Sequence, residues 1–313
     1  MVIFKAHHSF CDGISSMAVN LQLDETYDTS KLLAVKPPPW WLKWYYRLCV
    51  PFVLPGLVYK EALRKIDRNI LHDGKRNLTG KKLVAFSDPH DFATIKATSR
   101  AMKVTINELL TASLAVALKQ LFEERGDHET AGIQMAVPVN IRWAPYATYD
   151  EVKLENKFAP MPVAIPLDAS HEEALKKIKP VTGKMRADFP ATYATYALAL
   201  CIGYFMPAWL AKINGDALTK PMTLAFSNIP GILKRIHFRD TETLGQITTF
   251  VCGGRCAISI CLMSYCEHIQ YSVLMDSCVK EDPKEIVKRF DAAINKYIEM
   301  GKSQTSENSK KDN

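Results

Sequence analysis

The sequence predicts a mixed α/β fold, α+β in layout, on three observations. Strand-like runs and capped helices alternate through the middle of the chain, the last third is rich in strands, and the composition is that of a folded protein. Apolar residues make up 48% and charged residues 23% of the 313, which argues against a disordered, collagenous or multi-pass membrane chain. At roughly 100–200 residues per domain, this length holds two domains at most, with enough chain for a real core.

Val2 to Ala6 is a short run of β formers and Ile14 to Leu21 has helical spacing, so residues 7–13 form a strand-to-helix loop. Residues 22–36 are polar and irregular and read as a connection. An aromatic and basic segment follows, from Pro37-Pro38-Pro39-Trp40-Trp41 through Lys43, Trp44 and Arg47 to Tyr59. Rings with an apolar body and a polar edge beside cations suit the headgroup layer of a bilayer. The other reading is an aromatic crossover packed on the protein itself. Its prolines exclude a continuous spanning helix.

Leu83 to Phe86 reads as a strand and Pro89 to Met102 as a short helix. Thr105-Ile106-Asn107-Glu108 is a capping box opening a helix to Phe122, with Ile106, Leu109, Leu110, Leu114, Leu118 and Leu121 on its buried side. Gln134 to Val139 and Phe158 to Leu167 are strands, and Ser170 caps the helix between them and Phe189. Phe189 to Ala211 carries no formal charge over 23 residues, long enough to span a bilayer. Pro190, Gly203 and Pro207 favour a buried or interfacial helix over a spanning one.

Met222 to Phe226 is a strand running into a Ser227-Asn228-Ile229-Pro230-Gly231 turn. Cys256 to Tyr265 and Ile269 to Met275 form an antiparallel pair. Asp282, with Pro283 at the first helical position, opens a final helix ending near Met300, with Gly301 as its stop and 302–313 as a disordered polar tail.

The eight cysteines include no CxxC pair, a spacing that fits neither a disulfide scaffold nor a zinc site and implies free thiols. Forty basic residues against 33 acidic ones give a net charge of +7, which suits an anionic partner. No basic run interleaves with stacking aromatics, which argues against nucleic acid. The first twenty residues lack the charged, apolar and cleavage regions of a secretory signal, so an intracellular location is expected.

The chemistry-bearing motif is His7-His8-Ser9-Phe10-Cys11-Asp12-Gly13. A histidine is the natural general base near neutral pH, a nearby carboxylate orders its loop or fixes its tautomer, and the glycine lets the chain turn into a helix. Asp12 as a plain helix N-cap beside two surface histidines is the competing reading.

This motif resembles the HHxxxDG signature of CoA-dependent acyltransferases of the chloramphenicol acetyltransferase-like fold. The rest of the chain resembles the wax ester synthase/diacylglycerol acyltransferase family within that fold. Asn107-Glu108 stands where the family has Asn-Asp, and Pro138-Val139-Asn140-Ile141-Arg142 is similar to its Pro-Val-Ser-Val-Arg strand exit. Asn156 through Ile165-Pro166 resembles its Gly-Asn segment ending in Leu-Pro. Ser227-Asn228-Ile229-Pro230-Gly231 resembles its Ser-Asn-Val-Pro-Gly turn, and Met263-Ser264-Tyr265 with Asp276 its closing hairpin.

The resemblance implies a two-domain acyltransferase whose N-terminal part is missing here. It divides the chain into an N-terminal remnant with the catalytic loop (1–36), the aromatic crossover (37–80), a C-terminal domain (81–301) and the tail. It implies His8 as general base, taking the proton of an acceptor alcohol that attacks the acyl-CoA thioester, with no metal, cofactor or acyl-enzyme. His7 and Gly13 complete the loop, and Asp12 supports it through an arginine, Arg142 or Arg255. Ser227 or Asn228 is the oxyanion donor, and Asn107 and Glu108 are architectural. The partners are acyl-CoA, diacylglycerol or a long-chain alcohol, and a membrane or lipid-droplet surface at the cytosolic face of the endoplasmic reticulum or plasma membrane. A non-catalytic remnant binding lipid or a protein, and another acyltransferase of the same fold such as a condensation domain, are the alternatives.

Overall fold

Period-two patterning decides which way the sheet faces. In a computed structural model, which describes residues 2–24, 27–31, 39–144, 146–238 and 240–311, the chain runs as follows. Helix α1 (Gly13–Gln22) and the long α2 (Trp40–Ala62) precede strands β1 (Lys82–Phe86) and β2 (His90–Asp91). Then come α3 (Phe92–Ala101), α4 (Ile106–Glu124), β3 (Gly132–Asn140) and β4 (Phe158–Pro166). Three helices follow, α5 (His171–Ala187), α6 (Phe189–Phe205) and α7 (Ala208–Thr219). The chain ends with β5 (Leu224–Ile232), the small hairpin β6 (His237–Phe238) and β7 (Thr241–Glu242), β8 (Ile258–Tyr265), β9 (His268–Asp276) and α8 (Pro283–Lys311).

One mixed sheet has the order β1-β9-β8-β5-β3-β4, with β2 also paired to β9. β5 runs parallel to both β3 and β8, and the outer pairings are antiparallel. Ile258, Ile260 and Leu262 of β8, with Tyr271, Val273 and Met275 of β9, point into the main core under α4, α5 and α8. Their alternates Ser259, Cys261 and Ser272 point to the other face, where α1 lays Met17 and Leu21 against Met263, Tyr265 and Ile232. The segment 243–252 also crosses this face. Ser259 Oγ donates to the Phe250 carbonyl, Ser272 Oγ to that of Thr248 at 2.7 Å and Tyr265 Oη to that of Thr243 at 2.9 Å.

Thr105 closes the expected capping box with Glu108 at the head of α4. Several other elements depart from the sequence expectation. Residues 2–6 form no strand, and Val2, Ile3 and Phe4 are exposed, because no described strand lies beside them to share hydrogen bonds. The expected turn at Ser227–Gly231 is instead the second half of β5. Pro230 has no N–H and Gly231 no side chain, so the pairing with β8 slips by one residue between Ile229 and Ile232 rather than ending. A Cβ on Gly231 would stand 1.3 Å from the Ser264 carbonyl oxygen, so only glycine fits this bulge.

The expected stop at Gly301 is absent as well, and α8 continues through it to Lys311, over most of the expected disordered tail. Gly301 instead lets α3 approach, since a Cβ there would meet Thr98 Cγ2 at 3.0 Å. Residues 312–313 lie outside the described residues, as do 32–38 of the connection and the proline run.

The prolines do not break α2, which is helical over 23 residues with Pro51 and Pro55 inside. No residue of α2 is buried; it lies on α6 through Tyr46, whose ring stacks on Trp143 at 5.7 Å and meets Phe189 at 4.7 Å. The uncharged run from Phe189 divides at Met206-Pro207 into α6 and α7. Among the described residues no single helix is long and apolar enough to cross a membrane. The bent pair α3 and α4 has the length and composition, but turns by 92°, and α4 is core.

Candidate active site

Loop 7–12 carries the histidine pair and is clipped to the segment entering β4. Asn156 Nδ2 donates to the carbonyls of His8 at 2.8 Å and Ser9 at 3.1 Å, and the Asp12 N–H donates to the Glu155 carbonyl. Asp12 then gathers three donors. Its Oδ1 accepts the Ser15 N–H at 3.0 Å, which caps α1, and its Oδ2 accepts the Lys157 N–H and Arg142 Nη1, both at 2.7 Å. The cap and the charged support are therefore one carboxylate.

Arg142 and Asp12 are both buried, at 8% and 6% exposure. Arg142 Nη2 also donates to Ser15 Oγ at 2.8 Å and to the Glu155 carbonyl. Burial pulls the Arg142 pKa down, but the hydrogen bond and charge of Asp12 outweigh it and hold it above its ordinary value. Arg255 is not the partner; its guanidinium reaches Asn77 instead. Burial, with the Asp12 charge beside it, pushes the Cys11 thiol up, which keeps this neighbouring sulfur protonated.

The two histidines differ. His7 Nδ1 accepts the Ser9 N–H at 3.2 Å and lies 2.7 Å from Ser9 Oγ, so its ring closes its own turn. The His8 ring has aromatic neighbours, Phe158 at 5.9 Å and Phe250 at 6.5 Å between centroids, and no hydrogen-bond partner among the described residues. It is exposed.

Strand β5 approaches this loop from below. A Cβ on Gly13 would stand 2.4 Å from Ile229 Cδ1, so Gly13 lets the head of α1 sit on the Ser-Asn-Ile-Pro-Gly bulge. By strand alternation Ser227 faces the α1 side of the sheet, where His8 lies, whereas Asn228 Nδ2 donates to Asn107 Oδ1 at 2.6 Å at the head of α4. Glu108 is buried, at 2% exposure, and taken up by the Thr105 N–H, Thr182 Oγ1 and Arg186 Nη2. Burial would raise its pKa, but these donors outweigh it and hold it below the ordinary carboxylate range.

Ser15, Tyr146, Phe158 and Phe250 belong to this site and were not singled out from the sequence. Tyr146 Oη bonds Ser15 Oγ and the Glu155 carboxylate, which continues the Arg142 network. Among the described residues no group of three or more His, Cys, Asp or Glu could hold a metal ion. A cavity of about 220 Å³ lies away from the loop, at the β8–β9 hairpin, lined by Gln246, Tyr265 and His268 among others.

Residues 154–297 match the WS/DGAT C-terminal domain. The match covers a little under half of the chain. The matched span starts beside the Asn156 clip, takes in Phe158, Ser227 and Phe250, and ends within α8. A Mycobacterium tuberculosis protein named "Putative diacyglycerol O-acyltransferase" is 24% identical over 204 residues, 61% of this chain and 41% of that protein. A second from the same species, named "Probable diacyglycerol O-acyltransferase tgs1", is 18% identical over 67% of this chain and 45% of its own length. The chain thus spans less than half the length of these curated relatives.

Among solved structures, the wax ester synthase/diacylglycerol acyltransferase of Marinobacter aquaeolei VT8 aligns with a TM-score of 0.59 at 17% identity. It covers 94% of this chain, which spans 66% of that structure. The first condensation domain of the calcium-dependent antibiotic synthetase aligns with a TM-score of 0.57 at 12% identity, over 95% of this chain and 63% of its own. The chain thus has the mixed α/β, chloramphenicol acetyltransferase-like fold that these structures share.

Proposed function

We propose that the chain transfers a long-chain acyl group from acyl-CoA to the hydroxyl of diacylglycerol or a fatty alcohol, with His8 as general base. His8 takes the hydroxyl proton as the oxygen attacks the thioester carbonyl. The tetrahedral oxyanion then collapses, the C–S bond breaks, and the CoA thiolate takes the proton back from the imidazolium. Ser227 Oγ, on the His8 side of β5, is the oxyanion donor in this reading, and Asn228 is held at the head of α4.

The observation that carries the reading is the buried Asp12–Arg142 pair, which fixes the loop while leaving the His8 ring unbonded between Phe158 and Phe250. The family match of residues 154–297 and the acyltransferase names of the relatives support the reaction class. The exposed aromatic face of α2, with Lys43 and Arg47 beside Trp40, Trp41 and Trp44, supports docking at the surface of a membrane or lipid droplet, at its cytosolic side. Exposure of His8 favours a second reading, a weak or inactive homologue that binds lipid, because an open site solvates the base and its oxyanion.

Labelled long-chain acyl-CoA with diacylglycerol or hexadecanol separates the two, beside His8→Ala. Acyl transfer is expected to fall by about 10²–10⁴-fold in the variant. Equal product from both proteins removes His8 from the chemistry, and lipid binding without product from either supports the second reading.

A further inference from the structure

Segment 243–257 brings two cysteines together at the end of its path over the sheet. Cys252 and Cys256 flank the turn Gly253-Gly254-Arg255, and Cys256 Sγ donates to the Ile258 carbonyl at 3.3 Å. The turn is seated on the end of α7. Gly254 takes a left-handed φ of +66°, and a Cβ there would stand 2.1 Å from Thr219 Oγ1, while the Arg255 N–H donates to the same oxygen at 2.8 Å. Cys256 is buried against Met222 and Ala225, and Cys252 and Phe250 pack on that same cluster. Cys252 is partly exposed, and both thiols are free.

We propose that Cys252 and Cys256 are a peroxide-oxidisable dithiol that closes to an intramolecular disulfide, with Cys252 as the attacking thiol and Cys256 as the resolving one. The Cys252 sulfur attacks one oxygen of the peroxide, the O–O bond breaks and water leaves, giving a sulfenic acid. The Cys256 sulfur then attacks that sulfur, the S–O bond breaks and a second water leaves. Two thiols lose two electrons and two protons, and one peroxide becomes two waters.

The order of attack follows from the surroundings. Cys252 is the more exposed of the two, and the Cys256 thiol beside it, the Gly253 N–H and the charge of Lys82 outweigh burial and hold it below the ordinary thiol range. The Cys252 thiol beside it and burial push the Cys256 thiol well up, so it stays protonated until Cys252 is oxidised. Cys261, one strand position pair further on, shows the contrast. Burial alone pushes it up to about 12, so it is an inert core sulfur. Because Phe250 packs with the pair and also lines His8, the oxidation state of the turn reaches the wall of the candidate site. That consequence rests on the acyl-transfer reading; the disulfide itself does not.

The test treats the full chain with stoichiometric hydrogen peroxide, alkylates under denaturing conditions and maps the products by mass spectrometry. Two of the eight thiols are expected to escape alkylation. Since Arg255 lies between the two cysteines, trypsin is expected to release peptide 240–255 joined to 256–280 through one disulfide. In Cys256→Ser, dimedone is expected to label Cys252 as the stranded sulfenic acid. All eight thiols remaining, a disulfide elsewhere, or Cys252 over-oxidised while Cys256 is still alkylated would each overturn the proposal.

Discussion

Asp12 and Arg142 lie 130 positions apart in the chain and meet in a buried ion pair at 2.7 Å. The contact ties the loop that presents His8 to the exit of β3, so the position of a candidate base depends on a residue far along the chain. Neither charge has water to fall back on, which makes the pair sensitive to the loss of one partner.

Asp12→Ala is expected to cost about 3–5 kcal/mol, because it strands a buried guanidinium. The double variant Asp12→Ala with Arg142→Met is expected to recover part of that loss. Urea unfolding of the two variants beside the parent checks this, and a double variant no better than the single one would show that the lost cap, rather than the stranded charge, dominates.

Two glycines of the site differ in what stands in their way. Gly231→Ala drives a methyl into the Ser264 backbone and Gly13→Ala into the end of the Ile229 side chain, which can turn aside. We expect Gly231→Ala to destabilise by about 3 kcal/mol or more and Gly13→Ala by about 1 kcal/mol. Ile229→Val is expected to relieve only the second, as read by thermal unfolding.

Removing Asn156 leaves His8 in the chain but frees the carbonyls of His8 and Ser9 from their clip. Asn156→Ala is expected to lower acyl transfer by about 10- to 100-fold through misplacement of the ring. The fall should appear in kcat more than in KM. A rate unchanged within error would show that Asp12 and Glu155 hold the loop without it.

His171 gives stability a dependence on pH. Its buried Nε2 has no hydrogen-bond partner among the described residues, and burial first, then Lys296, lowers its pKa below 6.5. In the window between that lowered value and 6.5 the unfolded chain binds the proton and the folded one does not, so stability is present above 6.5 and declines as pH falls below it. His171→Phe, which keeps an aromatic ring beside Tyr297, is expected to flatten this decline in chemical unfolding measured across the window.

Vesicles containing anionic lipid are expected to shift the tryptophan emission of the chain to the blue, and neutral vesicles less so. Changing Trp40, Trp41 and Trp44 to alanine should remove most of that shift. These side chains are exposed at 75%, 55% and 56%, so their loss leaves the core intact.

The fold was legible where one local rule acts. The Thr105 capping box, the two-residue alternation in β8 and β9 and the Asp12 cap all follow from their neighbours in sequence. It was illegible where a residue serves a distant contact. Gly301 has the look of a helix stop, yet its bare Cα faces Thr98 across two helices, and Pro230-Gly231 has the look of a turn, yet it makes a bulge on Ser264. The site divides the same way. His7, His8, Asp12 and Gly13 form a compact motif, whereas Phe158 and Phe250 reach the His8 ring only through the sheet and carry no local signal. Arg142 could be offered as a partner for Asp12, but choosing it over Arg255 required the path of β3.

The prolines inside α2 set a limit on where that helix can rest. Pro51 and Pro55 have no amide hydrogen, so the carbonyls of Arg47 and Pro51 lack the donor that a helix supplies four residues on. A carbonyl without a partner tolerates water or a headgroup but not hydrocarbon. If α2 docks on a lipid surface as proposed, its backbone there is expected to stay wet, which would hold the helix at a shallow depth.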